Sequence, residues 1–209
     1  MQHGRVLNLS KNQIISFLKS NALSLICVLF LVIGVSLGIG LCGKFSIVTS
    51  FCKQFFDGYI SLRQSGSYLN IAVSSFLKSL ILFLFVFIGG TTLFGTVCIP
   101  FFISLDGFFY GSAVSYLYSS FALKGVAFNA VIFLPSNLLL IIFLIFAARY
   151  AMEFSLCLAR LTFPNSLQGD LFLQFKEYSL KFLFLTLASI LAALLDGLTA
   201  TSMLRFFEF

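Results

Sequence analysis

The chain has 209 residues, of which 60% are hydrophobic, only 10% are charged and 29 are phenylalanine, and its mean hydropathy is +1.07. Soluble domains carry about 25% charged residues, so this chain has too little charge to solvate a surface around so much apolar side chain, and folding in water is excluded. The net charge of +6 does not point to nucleic acid, because the thirteen Lys and Arg residues are scattered through tails and loops instead of forming a phosphate-binding face.

A helix needs about 20 apolar residues to cross a hydrocarbon core of about 30 Å. Residues 1–21 read as a cytoplasmic tail carrying Arg5, Lys11 and Lys19. Residues 22–43 are uncharged and form a first span. This run exceeds the apolar core of a signal peptide and has no small-x-small cleavage pattern, so it is expected to be a retained anchor. Within it, Gly34-x-x-x-Gly38 has the spacing that lets helices approach closely. Residues 44–78 read as a loop and an amphipathic helix, with turn signals at Asp57-Gly58 and Ser65-Gly66-Ser67. Arg63, Ser67, Asn70, Ser74 and Lys78 recur at helical spacing, which predicts one polar-faced helix running into the next span with a solvated or interfacial face.

The second span is expected at 79–105, kinked or broken between Gly89-Gly90, Gly95 and Pro100. A short third span follows at 107–123, then a fourth at 125–148 that contains Pro135. Residues 149–181 predict an amphipathic helix and a loop, with Arg149 and Glu153 at ion-pair spacing, Arg160 on the same stripe, and Thr162, Pro164 and Gly169 as breakers. The fifth span, 182–204, is uncharged except for Asp196. The expected fold is therefore all-α: a single integral membrane domain over 1–209, a polytopic transmembrane helix bundle of about five spans with the second and fourth kinked or broken. With the N-terminus inside, seven Lys and Arg fall inside and six outside, and the cluster before the first helix favours that orientation.

Catalytic sets are missing. The single histidine, His3, lies in the tail, which leaves no imidazole base or metal ligand within the fold and removes most Ser-His and Cys-His mechanisms. Cys27, Cys42, Cys52, Cys98 and Cys157 include no CxxC pair and read as small buried hydrophobes, with a Cys42–Cys52 disulfide left open. The acids are dispersed, and no phosphate-binding GxxxxGK[ST] loop is present. No catalytic residue, metal or cofactor is expected, and the protein is expected not to be an enzyme.

Two helices carry small, polar seams suited to close packing and interhelical hydrogen bonds: Gly107, Gly111, Ser115 and Tyr118 on one, Gly125, Asn129 and Ser136 on the next. Pro135 removes a hydrogen bond to the carbonyl of Val131, and Ser136 and Asn137 follow at once with side chains able to bond freed backbone or a facing helix. Asn in mid-membrane is costly unless paired, so Asn137 is expected to point into the bundle. Asp196 is the other costly residue: an intramembrane acid is a functional candidate, and Asp196-Gly197 near a span end equally suits a helix break.

The stretch SSFALKGVAFNAVIFLPSNLLLIIFLIFAARYAMEFSLCLARL, residues 119–161, preceded by DGFFYGSAVSYL, resembles the signature of the stage II sporulation protein M family: a Gly-rich helix, LKG, a Leu-Pro-polar-Asn-Leu core and an Ala-rich exit. The likeness covers roughly residues 79–205 and includes an acid at a position like Asp196. It implies a small multi-pass protein of the forespore-engulfment machinery in the mother-cell and septal membrane. Such a protein anchors a peptidoglycan lytic transglycosylase and an amidase/endopeptidase without itself being the enzyme. The partners expected are those hydrolases and the bilayer, with no nucleic acid and with homo-oligomerisation left open. Residues 44–66 and the polar-striped helix are the expected contact regions. Two other readings stand beside it: a small permease in which Asn129, Ser136, Asn137 and Asp196 line a path at a broken helix, and an accessory membrane subunit of an export system.

Overall fold

The computed structural model describes residues 21–42, 44–161 and 171–203, which form an all-helical bundle. In chain order the helices are α1 (Ala22–Leu41), α2 (Ser46–Ser65), α3 (Tyr68–Gly90), α4 (Gly95–Phe128), a π-helical segment (Asn129–Phe133), α5 (Leu134–Leu161) and α6 (Leu171–Met203). Four helical stretches are long and apolar enough to cross a membrane: Ala22–Leu41, Tyr68–Gly90, Gly95–Leu161 and Leu171–Ser202.

The third stretch has 67 residues. At 1.5 Å per residue a straight helix of that length would run for about 100 Å, over three times the hydrocarbon core. It is not straight. Ala122 has φ 47° and ψ −125°, outside the helical region, and the chain doubles back there. Antiparallel contacts follow on both sides of the reversal: Asn129 Nδ2 donates to the Tyr118 hydroxyl at 3.0 Å, and the Tyr110 and Phe133 rings stack with centroids 5.3 Å apart. The chain therefore makes five crossings, at 22–41, 68–90, 95–121, 123–161 and 171–203.

Several expected boundaries change, the start of the last crossing among them, at Leu171 instead of residue 182. The break between the second and third crossings lies at residues 91–94, directly after Gly89-Gly90, and not at Asp106. Thr91 and Thr92 hydroxyls donate to the carbonyls of Ile88 and Gly89 at 2.8 and 2.7 Å, which satisfies backbone groups left open at the helix end. Pro100 is then an early residue of α4, and Asp106 sits within a helix. The spans expected at 79–105 and 107–123 become 68–90 and 95–121, so the third crossing is long. The polar stripe from Arg63 to Lys78 is likewise split, because Gly66 and Ser67 are extended (ψ 143° and 159°). Arg63 belongs to α2 and is buried, whereas Ser67 precedes α3 and Asn70, Ser74 and Lys78 lie in its first half. The fourth crossing continues to Leu161, with Arg149 Nε 2.9 Å from Glu153 Oε1. Most of the expected tail, Gly43, Leu204 and the breakers Thr162, Pro164 and Gly169 lie outside the described residues.

α1 packs most extensively on α4. Small residues make this possible. A Cβ on Gly34 or Gly38 would collide with the backbone of Ser104 or Phe108, and one on Gly107 or Gly111 with that of Leu31 or Val35. Four glycines on two facing helices thus bring main chain against main chain, the closest approach available to helices in lipid. The core of the bundle joins Phe83 and Val86 of α3, Ile99 and Ile103 of α4, Leu144, Ala147, Ala151 and Met152 of α5, and Tyr178 and Phe182 of α6.

α2 is different. It is the most amphipathic helix and is not apolar enough to cross. Since α1 delivers it and α3 receives it, its two ends lie on one side of the bundle. Its buried residues Cys52 and Phe56 rest on Tyr116, Leu117, Phe128 and Ile132 at the reversal of the α4–α5 hairpin, while Lys53, Gln54 and Asp57 are exposed. α2 is therefore an in-plane helix laid across one end of the bundle.

Candidate functional site: a buried ion pair beside an intramembrane cavity

Arg63, in the last turn of α2, forms an ion pair with Asp196 of α6, and the side chains are only 6% and 5% exposed. The Ser75 hydroxyl of α3 donates to the same carboxylate oxygen, and the Ser136 hydroxyl of α5 donates to the other at 3.2 Å. The guanidinium lies over the Tyr59 ring, 3.3 Å from its centroid, and donates to the Tyr59 carbonyl at 3.4 Å. One carboxylate therefore gathers α2, α3, α5 and α6. Burying a charge in apolar surroundings is expensive unless it is paired and its remaining lone pairs are satisfied, and here three donors converge on Asp196. Gly197 permits the approach, since a Cβ there would press on the Tyr68 ring at 2.9 Å.

The Pro135-Ser136-Asn137 stretch divides its work. The π-helical segment Asn129–Phe133 lies immediately before it, where a proline cannot supply the regular backbone donor. Asn137 Nδ2 donates to the Phe133 carbonyl at 2.6 Å, and Ser136 reaches Asp196. The expected seams serve separate interfaces. Gly107, Gly111 and Ser115 face α1, where Ser115 Oγ lies 3.5 Å from the Ile39 carbonyl oxygen. Gly125 packs on the Leu117 backbone and Asn129 bonds Tyr118, both within the hairpin. Of the four residues grouped on one path by the permease reading, Ser136, Asn137 and Asp196 are neighbours and Asn129 is elsewhere. They line a space of about 30 Å³ with Tyr59, Ser75 and Lys78, about the volume of one or two water molecules.

A larger cavity of about 280 Å³ adjoins it, sharing Lys78 and Asn137 as lining residues. Asp106 of α4 lines it as well, beneath Phe51 and Phe55 of α2. The Lys78 ammonium lies 5.8 Å from the Phe55 ring centroid. The sequence singles out Asp196 but not the burial of Arg63, which it groups with a polar stripe whose far end, Lys78, is exposed; Asp106 falls between two expected spans and is not singled out. Among the described residues no group of three or more His, Cys, Asp or Glu side chains could hold a metal ion.

The family model described as stage II sporulation protein M matches residues 23–200, which reaches into all five crossings and contains the whole Asp196 cluster. The chain belongs to this family. It is accordingly a multi-pass membrane protein of sporulation. Comparison with curated proteins and with solved structures finds no match.

Proposed function

We propose that this protein is a non-catalytic scaffold that anchors peptidoglycan-degrading enzymes, a lytic transglycosylase and an amidase/endopeptidase, in the mother-cell and septal membrane during wall thinning and engulfment. The family supports the setting. The observation that carries the scaffold reading is α2: an in-plane helix fixed to the bundle by the buried Arg63–Asp196 pair, with Lys53, Gln54 and Asp57 turned outward. A flat polar face on a rigid base suits a lasting protein contact better than a mobile loop does.

The test is co-purification of the two hydrolases from sporulating membranes with Lys53→Glu/Asp57→Lys, which alters the exposed face and leaves Phe56 and Arg63 in place. Loss of both hydrolases from a protein that accumulates normally is the expected result. Undiminished co-purification with this variant and with a second one, Gln54→Arg/Ser61→Glu, would remove α2 as the contact surface. Solute uptake by proteoliposomes containing the purified protein, lost with Ser136→Ala, would favour the permease reading.

A further inference from the structure

The 280 Å³ cavity has an unusual combination of walls for the middle of a membrane protein. Most of its lining is aromatic and aliphatic, yet it contains one cation, Lys78, and one anion, Asp106. Among the described residues these two form no ion pair with each other, the three ion pairs being Arg63–Asp196, Arg149–Glu153 and Lys181–Glu177. Two opposite charges placed in one apolar cavity without meeting are complementary to a ligand that carries both signs.

Position narrows the ligand further. Ile81 and Phe109 line the cavity and are 54% and 51% exposed, although both lie well inside spanning helices. Their exposure is to lipid, so the cavity opens sideways into the bilayer. Its depth follows from the α1–α4 contact: Gly107 lies against Leu31 and Val35, six to ten residues before the end of α1 at Leu41. That places Asp106 roughly 12 Å below this end at 1.5 Å per residue, on the α2 side of the midplane of a core about 30 Å thick, so a headgroup bound there is drawn well into the leaflet that carries α2.

We propose that this cavity is a binding site for a phospholipid of the α2-side leaflet whose headgroup carries a phosphate and a primary ammonium, as phosphatidylethanolamine does. The Lys78 ammonium faces the phosphate and the Asp106 carboxylate faces the lipid ammonium. Charge-assisted hydrogen bonds of this kind are strong where water is scarce. Asn137 offers a further polar atom, and an acyl chain lies along Ile81, Leu82 and Phe109. The site does not rest on the scaffold reading, and it shares Lys78 and Asn137 with the smaller space beside Asp196.

The chain contains no tryptophan, so Phe109→Trp makes a sole fluorescent reporter at the cavity mouth. Phe184→Trp, on α6 at a position 74% exposed and outside the cavity lining, makes the bulk-lipid control. Each is reconstituted in vesicles of equal phosphatidylethanolamine and phosphatidylglycerol, with only one of the two lipids brominated. The ratio of quenching by brominated phosphatidylethanolamine to that by brominated phosphatidylglycerol is expected to be at least two-fold higher at position 109 than at 184. Lys78→Gln and Asp106→Asn are each expected to bring it to the control value. Equal ratios at the two positions, a preference for phosphatidylglycerol at 109, or no quenching there by either lipid would overturn the proposal, as would a preference untouched by both charge variants. The comparison of the two reporters decides the matter even if a charge variant does not fold.

Discussion

Arg63 and Asp196 lie 133 positions apart in the chain, and their side chains meet as a buried ion pair that joins the in-plane helix α2 to the last crossing. Removing one member leaves the other charged and unpaired in an apolar interior, which costs about 3–5 kcal/mol. Asp196→Leu and Arg63→Met should each lower stability by that amount in detergent-unfolding titrations. The double variant should recover at least half of the loss, because it leaves no orphan charge. Single variants as stable as the wild type would mean that the two groups remain hydrated.

The glycine contact between α1 and α4 gives a graded prediction. Gly38→Ala and Gly111→Ala each put a methyl group into opposing backbone, whereas Gly40 has nothing within 4 Å of a built Cβ. The first two should lower stability by about 1–3 kcal/mol through overpacking. Gly40→Ala should be neutral or slightly stabilising, since alanine is the better helix former. The three variants can be ranked by unfolding in mixed micelles. A destabilised Gly40→Ala beside a neutral Gly111→Ala would show that the helices do not approach here.

How far the sequence discloses this fold depends on the scale of the signal. Long apolar runs give the class and the number of crossings, because the bilayer demands about 20 residues whatever the tertiary structure. They give ends poorly. Uncharged residues continue from Ser79 through Leu105 across a turn, so charge alone points to Asp106, while the turn follows Gly89-Gly90, where backbone geometry and not charge ends the helix. The partners of buried charges are harder still. Asp196 was visible as an intramembrane acid, but nothing local to Arg63 distinguishes it from a surface cation, and its burial depends on α2 lying back across the bundle. Lys78 and Asp106 share a cavity only because α3 and α4 pack side by side.

The reversal at Ala122 is a position where the sequence and the backbone disagree. Its φ of 47° with ψ of −125° is a conformation that glycine adopts freely and residues with a Cβ adopt at a cost of about 1–3 kcal/mol. Ala122→Gly should therefore stabilise the α4–α5 hairpin by about 1 kcal/mol, and Ala122→Val, which is β-branched, should destabilise it by more. Both are read from the unfolding midpoint of the purified protein. An Ala122→Gly variant less stable than the wild type would argue that the chain does not turn at this residue.

The Cys52 thiol, buried in the α2 contact with Tyr116 and Leu117, supplies a test of α2 docking through pH. Burial pushes its pKa up from 9.0 to about 11, and the neighbouring Cys42 thiol, which shares a hydrogen bond with it, adds to the rise. The folded state thus favours the neutral thiol. Its contribution to stability is complete below pH 9, where the thiol is neutral in both states, and is lost as pH rises through about 11. The stability difference between the wild type and Cys52→Ala should be constant up to pH 9 and shrink between pH 9 and 11, which cancels the titration of other groups common to both proteins. Alkylation of Cys52 by a maleimide should likewise be slow at pH 7.5 in the folded protein and fast in denaturant, because the reactive species is the thiolate and access requires α2 to lift. Labelling at pH 7.5 at the denatured rate would show that α2 leaves the bundle freely.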